Sequence, residues 1–80
     1  MQTTVTIDGH ELDEARAADF RAADESLRKS YAGLDVGDIV PEVERSLGEL
    51  GAEVPAGTVR EYAQRIADRA DYELVLARLT

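Results

Sequence analysis

The sequence predicts a mainly α domain: a small bundle of three to four helices with a short extended N-terminal arm or strand. Three observations carry this prediction. Apolar residues recur at intervals of three and four along three long segments. Glycine and proline interrupt the chain between these segments, at residues 33–37 and 51–57. Asp and Thr residues, which favour helix N-termini, precede the helical patterns. Eighty residues allow a single domain, 1–80, with residues 1–8 as the arm.

The N-terminal arm is β-branched at every position from Thr3 to Ile7, which is typical of a strand or an extended segment. The Asp8-Gly9 step could turn this segment back as a hairpin. Asp8 and Glu11 also form a capping box, which would start a helix instead. We favour the cap, because the residues that follow have helical periodicity.

The first helix is expected from about residue 9 or 12 to residue 32, where Gly33 stops it. Two acids in this helix, Asp24 and Glu25, precede Arg28 and Lys29 by three to four residues, the favourable order for helix ion pairs.

The second helix is capped by Asp35 or Asp38, has Pro41 in or near its first turn, and ends at Gly51.

The third helix is predicted to begin at Thr58, which forms another capping box with Glu61. The last segment, residues 72–79, fits either a helix or a strand that pairs with the N-terminal arm. Helical propensity favours a helix there by roughly two to one.

The composition excludes several classes of protein. Seventeen acidic and nine basic side chains give a net charge of −8, which repels nucleic-acid phosphates and anionic lipids. No apolar run is long enough to cross a bilayer and the N-terminus does not resemble a secretion signal, so we expect a cytoplasmic protein without membrane contact. The residue usage is typical of a bacterial or phage protein.

No motif carries chemistry, so we expect a non-enzymatic protein with no catalytic residue, metal or cofactor. His10 and Glu14 have the i, i+4 spacing of a ligand pair, but there is no second histidine and no cysteine to complete a zinc site. No serine or threonine stands in a nucleophile motif, and no glycine-rich phosphate loop occurs.

The most economical function is protein–protein interaction, as a small adaptor, regulator or inhibitor. The C-terminal segment has more apolar residues than one face of an element needs, so we expect it to bind another protein or a second copy of the chain. Its predicted partner-binding residues are Tyr72, Leu74, Val75, Leu76 and Leu79.

Two alternatives remain open. Residues 35–57 hold six acids against Arg45 alone, a net −5, and could mimic nucleic acid toward a basic partner. The proposed acidic face is Asp35, Asp38, Glu42, Glu49 and Glu53. The second alternative, ranked third after protein–protein interaction and mimicry, is a helix-turn-helix regulator. It would read DNA with the third helix, although the connection between the second and third helices is longer than usual. Its base-contacting residues would be Thr58, Arg60, Gln64 and Arg65.

Overall fold

The computed structural model describes residues 3–7, 10–76 and 78–79. Three helices pack together and against a small mixed sheet, so the mainly α prediction is confirmed, whereas the helix bundle is accompanied by strands. The elements in chain order are β1 (Thr3–Ile7), β2 (His10–Glu11), α1 (Glu14–Tyr31), α2 (Val36–Glu49), β3 (Ala52–Glu53), α3 (Ala56–Ala67), β4 (Tyr72–Leu76) and β5 (Arg78–Leu79).

The N-terminal strand turns back on itself. β2 pairs antiparallel with β1, Thr6 opposite Glu11 and Ile7 opposite His10. Helix α1 therefore starts later than expected, and its N-cap is Asp13, whose carboxylate accepts a hydrogen bond from the Arg16 amide at 2.9 Å. The prediction of a helix cap at Asp8 was wrong, because pairing with β1 takes up residues 10–11; Asp8 itself lies outside the described residues.

The preference for a helix over residues 72–79 was also wrong. Residues 72–76 form β4, which pairs parallel with β1 from Thr3 opposite Tyr72 to Ile7 opposite Leu76. β5 then pairs antiparallel with β3, which lies between α2 and α3. The alternating exposure along β4 shows one sheet face buried under the helices and one open, with Leu74 and Leu76 inward and Glu73 and Val75 outward.

All three helices end at a residue with left-handed backbone. These residues are Gly33 (φ 84°), Gly51 (φ 74°) and Arg69 (φ 55°). The two glycine stops are confirmed, since glycine adopts this conformation without steric cost. At the third end, the amides of Arg69 and Ala70 donate back to the carbonyls of Ile66 and Arg65, which is a Schellman motif.

The sequence predicted the start of α2 more closely than the start of α3. Asp35, one of the two predicted capping residues, occupies the N-cap position of α2, but its side chain makes no capping hydrogen bond. Helix α3 begins at Ala56, two residues before the predicted Thr58, with Pro55 at the N-cap position. Proline fits there, because its missing N–H would have no partner inside the helix.

One core joins the helices to β4. Ile39, Ala63 and Ile66 are fully buried, and Leu74 and Leu76 are only 1% exposed. Burying each of these isoleucine and leucine side chains contributes about 1.5–3 kcal/mol. The buried apolar residues are Phe20, Leu27, Ile39, Val43, Leu47, Val59, Tyr62, Ala63, Ile66, Leu74 and Leu76.

Candidate functional site

An apolar groove opens between α2 and α3. Its volume is about 760 Å³, within the usual size of binding pockets. Helix α2 contributes residues at positions 40, 44, 47 and 48, and α3 contributes residues at 56, 59 and 60. These spacings put each set on one face of its helix. The apolar lining is Val40, Leu47, Ala52, Val54, Ala56 and Val59.

Gly48 keeps one wall of the groove open. It is exposed on the last turn of α2, and a Cβ added there would meet no atom within 4 Å. Leu47 and Val59 are buried beneath the groove, whereas Val40 and Val54 are half-buried and present apolar surface to it. The groove is therefore a concave apolar surface that the chain does not fill.

The rim of the groove is charged. Glu44 and Glu53 are exposed on its acidic side and Arg60 is exposed on α3. Within the described part of the chain, Glu44 makes no ion pair. An unpaired carboxylate beside apolar surface favours a ligand that brings a positive charge next to an apolar side chain.

The predicted acidic face is partly neutralised. Arg45 Nη2 donates to Glu42 at 2.7 Å and Arg45 Nη1 donates to Glu49 at 3.2 Å. The hydrogen bond from Arg45 lowers the pKa of Glu42, to which the Tyr31 hydroxyl also donates at 3.2 Å.

The other members of that face lie apart from this pair. Asp35 and Asp38 occupy the N-cap and first turn of α2, where the helix dipole stabilises a negative charge. Glu53 lies on β3, at the groove. The structure thus distributes the five acids over a helix start, an ion-paired strip and a groove rim.

The C-terminal segment divides between core and surface. Leu74 and Leu76 are buried within their own chain, so among the described side chains of this segment the exposed apolar surface is mainly that of Val75, which is 44% exposed. Tyr72 stacks on Tyr62, with ring centroids 5.5 Å apart. Leu79 lies in β5, and its side chain is outside the described part of the structure. Association through this segment stays a prediction.

The residues of the remaining alternatives are on the surface. His10 is exposed on β2, and among residues 3–7, 10–76 and 78–79 no three His, Cys, Asp or Glu side chains come together as metal ligands. Arg60, Gln64 and Arg65 are exposed on α3, and the Gln64 amide donates to Asp68 at 3.0 Å. None of the described helices has the length and apolar character of a membrane span.

A buried polar network was not predicted. The Asp24 carboxylate accepts from the Thr3 hydroxyl at 2.6 Å, from the Tyr62 hydroxyl at 2.5 Å and from Arg28 Nε at 3.1 Å. Arg28 Nη2 also donates to the Thr3 hydroxyl, at 2.9 Å. Side chains from β1, α1 and α3 thus donate hydrogen bonds to the same carboxylate.

The sequence did contain a signal for this network. Asp24 occupies the i+4 position after Phe20 and lies three residues before Leu27, so it interrupts the apolar face of α1. The ion pair of Asp24 with Arg28 was anticipated from its spacing, but not its burial. Burial, with the hydrogen bond to Asp24, raises the pKa of Tyr62 well above its usual range.

Comparison with known proteins adds no relative: no protein-family model matches the chain, and neither a curated protein nor a solved structure does.

Proposed function

We propose that this chain is a non-enzymatic protein–protein interaction module, which binds a cationic amphipathic segment of a partner protein in the groove between α2 and α3. The groove itself carries the proposal: an open, largely apolar surface with Glu44, Glu53 and Arg60 on its rim, which gives the rim a net charge of −1. The module would serve as an adaptor, regulator or inhibitor in the cytoplasm, as composition suggests.

Two features favour this partner. Apolar side chains inserted beside Val40 and Val54 would bury surface that the chain leaves partly exposed. The surrounding segment, residues 35–57, has a net charge of −5, because six acids face Arg45 alone. That field favours encounter with Lys- and Arg-rich segments and disfavours acidic ones.

Mimicry of nucleic acid receives less support. Arg45 lies between Glu42 and Glu49 and bonds to both, so two of the five acids are engaged with a cation. A helix-turn-helix function would place the acidic α2 near DNA phosphates, which is unfavourable.

The test is a titration of the full chain, labelled with ¹⁵N, by two synthetic amphipathic peptides. One carries Leu at positions i, i+4 and i+7 with Lys elsewhere, and the other replaces each Lys by Glu. We expect the Lys peptide to shift the amide signals of Val40, Gly48 and Val54, and the Glu peptide to leave them unchanged.

Two glycines of α2 provide a matched pair of variants. Gly48→Leu fills the groove, whereas Gly37→Leu adds the same side chain outside it; a Cβ meets no atom within 4 Å at either position. We expect Gly48→Leu to weaken binding of the Lys peptide about tenfold or more, since a blocked hot-spot pocket costs over about 1.4 kcal/mol. Gly37→Leu should bind like the wild type.

Three results would overturn the proposal: equal affinity for both peptides, equal affinity of the two glycine variants, or shifts confined to the surface around Val75. Sedimentation of the unliganded chain provides a further check. A dimer that dissociates in Gly48→Leu but not in Gly37→Leu would show that a second copy, rather than a cationic partner, occupies the groove.

A further inference from the structure

A second cavity, at the C-terminal half of α1, is basic although the protein is acidic. Its volume is about 590 Å³, and four cations line it against two acids. The chain holds only nine basic residues, so nearly half of them meet at one place, with a local net charge of +2. The charged lining consists of Arg21, Arg28, Lys29 and Arg69 with Asp24 and Glu25.

Arg28 has hydrogen-bonding capacity left over in this cavity. Its side chain is only 10% exposed. Nε and Nη2 are engaged by Asp24 and Thr3, whereas Nη1 is buried and has no hydrogen-bond partner within the described part of the chain. A buried unpaired N–H is unfavourable and uncommon in folded proteins. Nη1 has no contact with solvent, so an acceptor oxygen bound in the cavity would satisfy it once the exposed lining side chains have moved.

Arg69 is held in the cavity at a cost to the backbone. Its φ of 55° is the conformation for which Gly33 and Gly51 are used at the other two helix ends. A side chain at such a position is unfavourable by about 1 kcal/mol relative to glycine. The guanidinium lies against Gly33, where an added Cβ would be 2.9 Å from Nη2. Glycine at 33 therefore makes room for the arginine, and the arginine contributes charge to the cavity.

We propose that this cavity binds a small phosphate monoester. Arginine guanidinium groups present paired N–H donors that match phosphate oxygens, and Lys29 adds a point charge. The other three cations, Arg21, Lys29 and Arg69, are exposed, so their side chains can rearrange around an anion that reaches Arg28 Nη1. The volume exceeds that of a phosphate group and leaves room for an organic substituent.

Charge selects the ligand in two ways. The C-terminal end of α1 carries about half a negative charge from its dipole, which opposes part of the local +2. A dianionic phosphate gains more from the arginines than a monovalent anion does, so binding should favour dianions. A nucleic acid would extend beyond the cavity into the field of a protein with net charge −8, which disfavours it.

The experiment is NMR titration of the 80-residue chain with phenyl phosphate and inorganic phosphate, against chloride at equal ionic strength. We expect saturable shifts at Lys29, Gly33 and Arg69 with both phosphates and none with chloride. Affinity for phenyl phosphate should fall between pH 8 and pH 5, because its second ionisation, near pH 6 for such esters, is lost.

Two charge-matched variants separate the site from general electrostatics. Arg69→Gly removes one cavity cation and relieves the backbone, so it should fold at least as well as the wild type while binding phenyl phosphate about tenfold more weakly. Arg45→Gln removes one cation that lies outside both the cavity and the groove, and it should bind phenyl phosphate like the wild type. Equal weakening in both variants, shifts spread over the surface, or equal response to chloride would overturn the proposal.

Discussion

The ion pairs of α1 and α2 have the same sequence spacing and different surroundings. Asp24 and Arg28 on α1 stand four apart, as do Arg45 and Glu49 on α2. The side chains of Asp24 and Arg28 are 11% and 10% exposed, whereas those of Arg45 and Glu49 are 62% and 65% exposed. Helical spacing therefore identifies which charges meet, but not what their meeting contributes to stability.

The surroundings decide that contribution. Asp24 also accepts from Thr3 on β1 and from Tyr62 on α3, so its removal would leave Arg28 buried without its counter-ion. Arg45 and its two glutamates are hydrated on the surface, where solvent and salt screen the attraction. Variants of both ion pairs test this difference in their contribution to stability.

Breaking the buried pair should have the largest effect. We expect Asp24→Ala to lower the free energy of unfolding by about 3–5 kcal/mol, since it leaves an uncompensated buried guanidinium. Glu49→Ala is the matched control on α2 and should leave the urea midpoint nearly unchanged. Circular dichroism during urea unfolding measures both variants. A midpoint for Asp24→Ala as high as that of Glu49→Ala would contradict the distinction between the two ion pairs.

The double variant Asp24→Leu/Arg28→Met sharpens that result. It removes both charges and should recover much of the stability that Asp24→Ala loses, because a buried pair can be replaced by apolar residues of similar size. If the double variant were no more stable than the single one, the loss would come from packing rather than from the unpaired charge.

The tyrosine of the buried network should make the fold sensitive to alkali. The pKa of Tyr62 is raised by burial and that of Tyr72 is raised by burial to about 12, whereas both are about 10 in the unfolded chain. The folded state thus prefers the protonated phenols. Their contribution is complete below pH 10 and is lost as pH rises through the folded pKa values. Urea midpoints measured from pH 8 to pH 12 should fall above pH 10.

Tyr62→Phe measures how much the buried network contributes to this loss of stability above pH 10. Losing the hydroxyl that donates to Asp24 should cost about 1–2 kcal/mol at pH 7 and make the decline above pH 10 shallower. Tyr72→Phe, which keeps the stacked ring and leaves the Tyr62–Asp24 hydrogen bond in place, is the control at pH 7. If the urea midpoint of Tyr62→Phe fell above pH 10 as much as that of the wild type, ionisation of Tyr62 would not be a cause of the alkaline loss of stability.

The exposed pair should show the smallest effect. Arg45→Gln removes both of its contacts with glutamate, and we expect urea midpoints indistinguishable from the wild type at high salt. At low salt a slight decrease is expected. A large salt-independent loss in Arg45→Gln would mean that the exposed strip is as important as the buried network.

The accuracy of the sequence predictions follows the range of the interactions. The three helices and the stops at Gly33 and Gly51 are confirmed, because each depends on residues within one or two turns. The groove was not anticipated, since it exists only where α2, α3 and the segment between them pack together. The basic cavity was not anticipated either, because Arg69 meets Gly33 only when the ends of α1 and α3 come together.

What the sequence by itself determined is the set of three helices, the glycine ends of two of them and the uneven distribution of charge along the chain. Local hydrogen bonding explains the helices, and the absence of a Cβ at Gly33 and Gly51 explains the two glycine ends. Only the tertiary structure decided that residues 72–76 form a strand and that Asp24 belongs to the interior. β4 obtains its hydrogen bonds from β1, nearly seventy residues away. Asp24 has donors on β1 and α3, which no window of α1 contains.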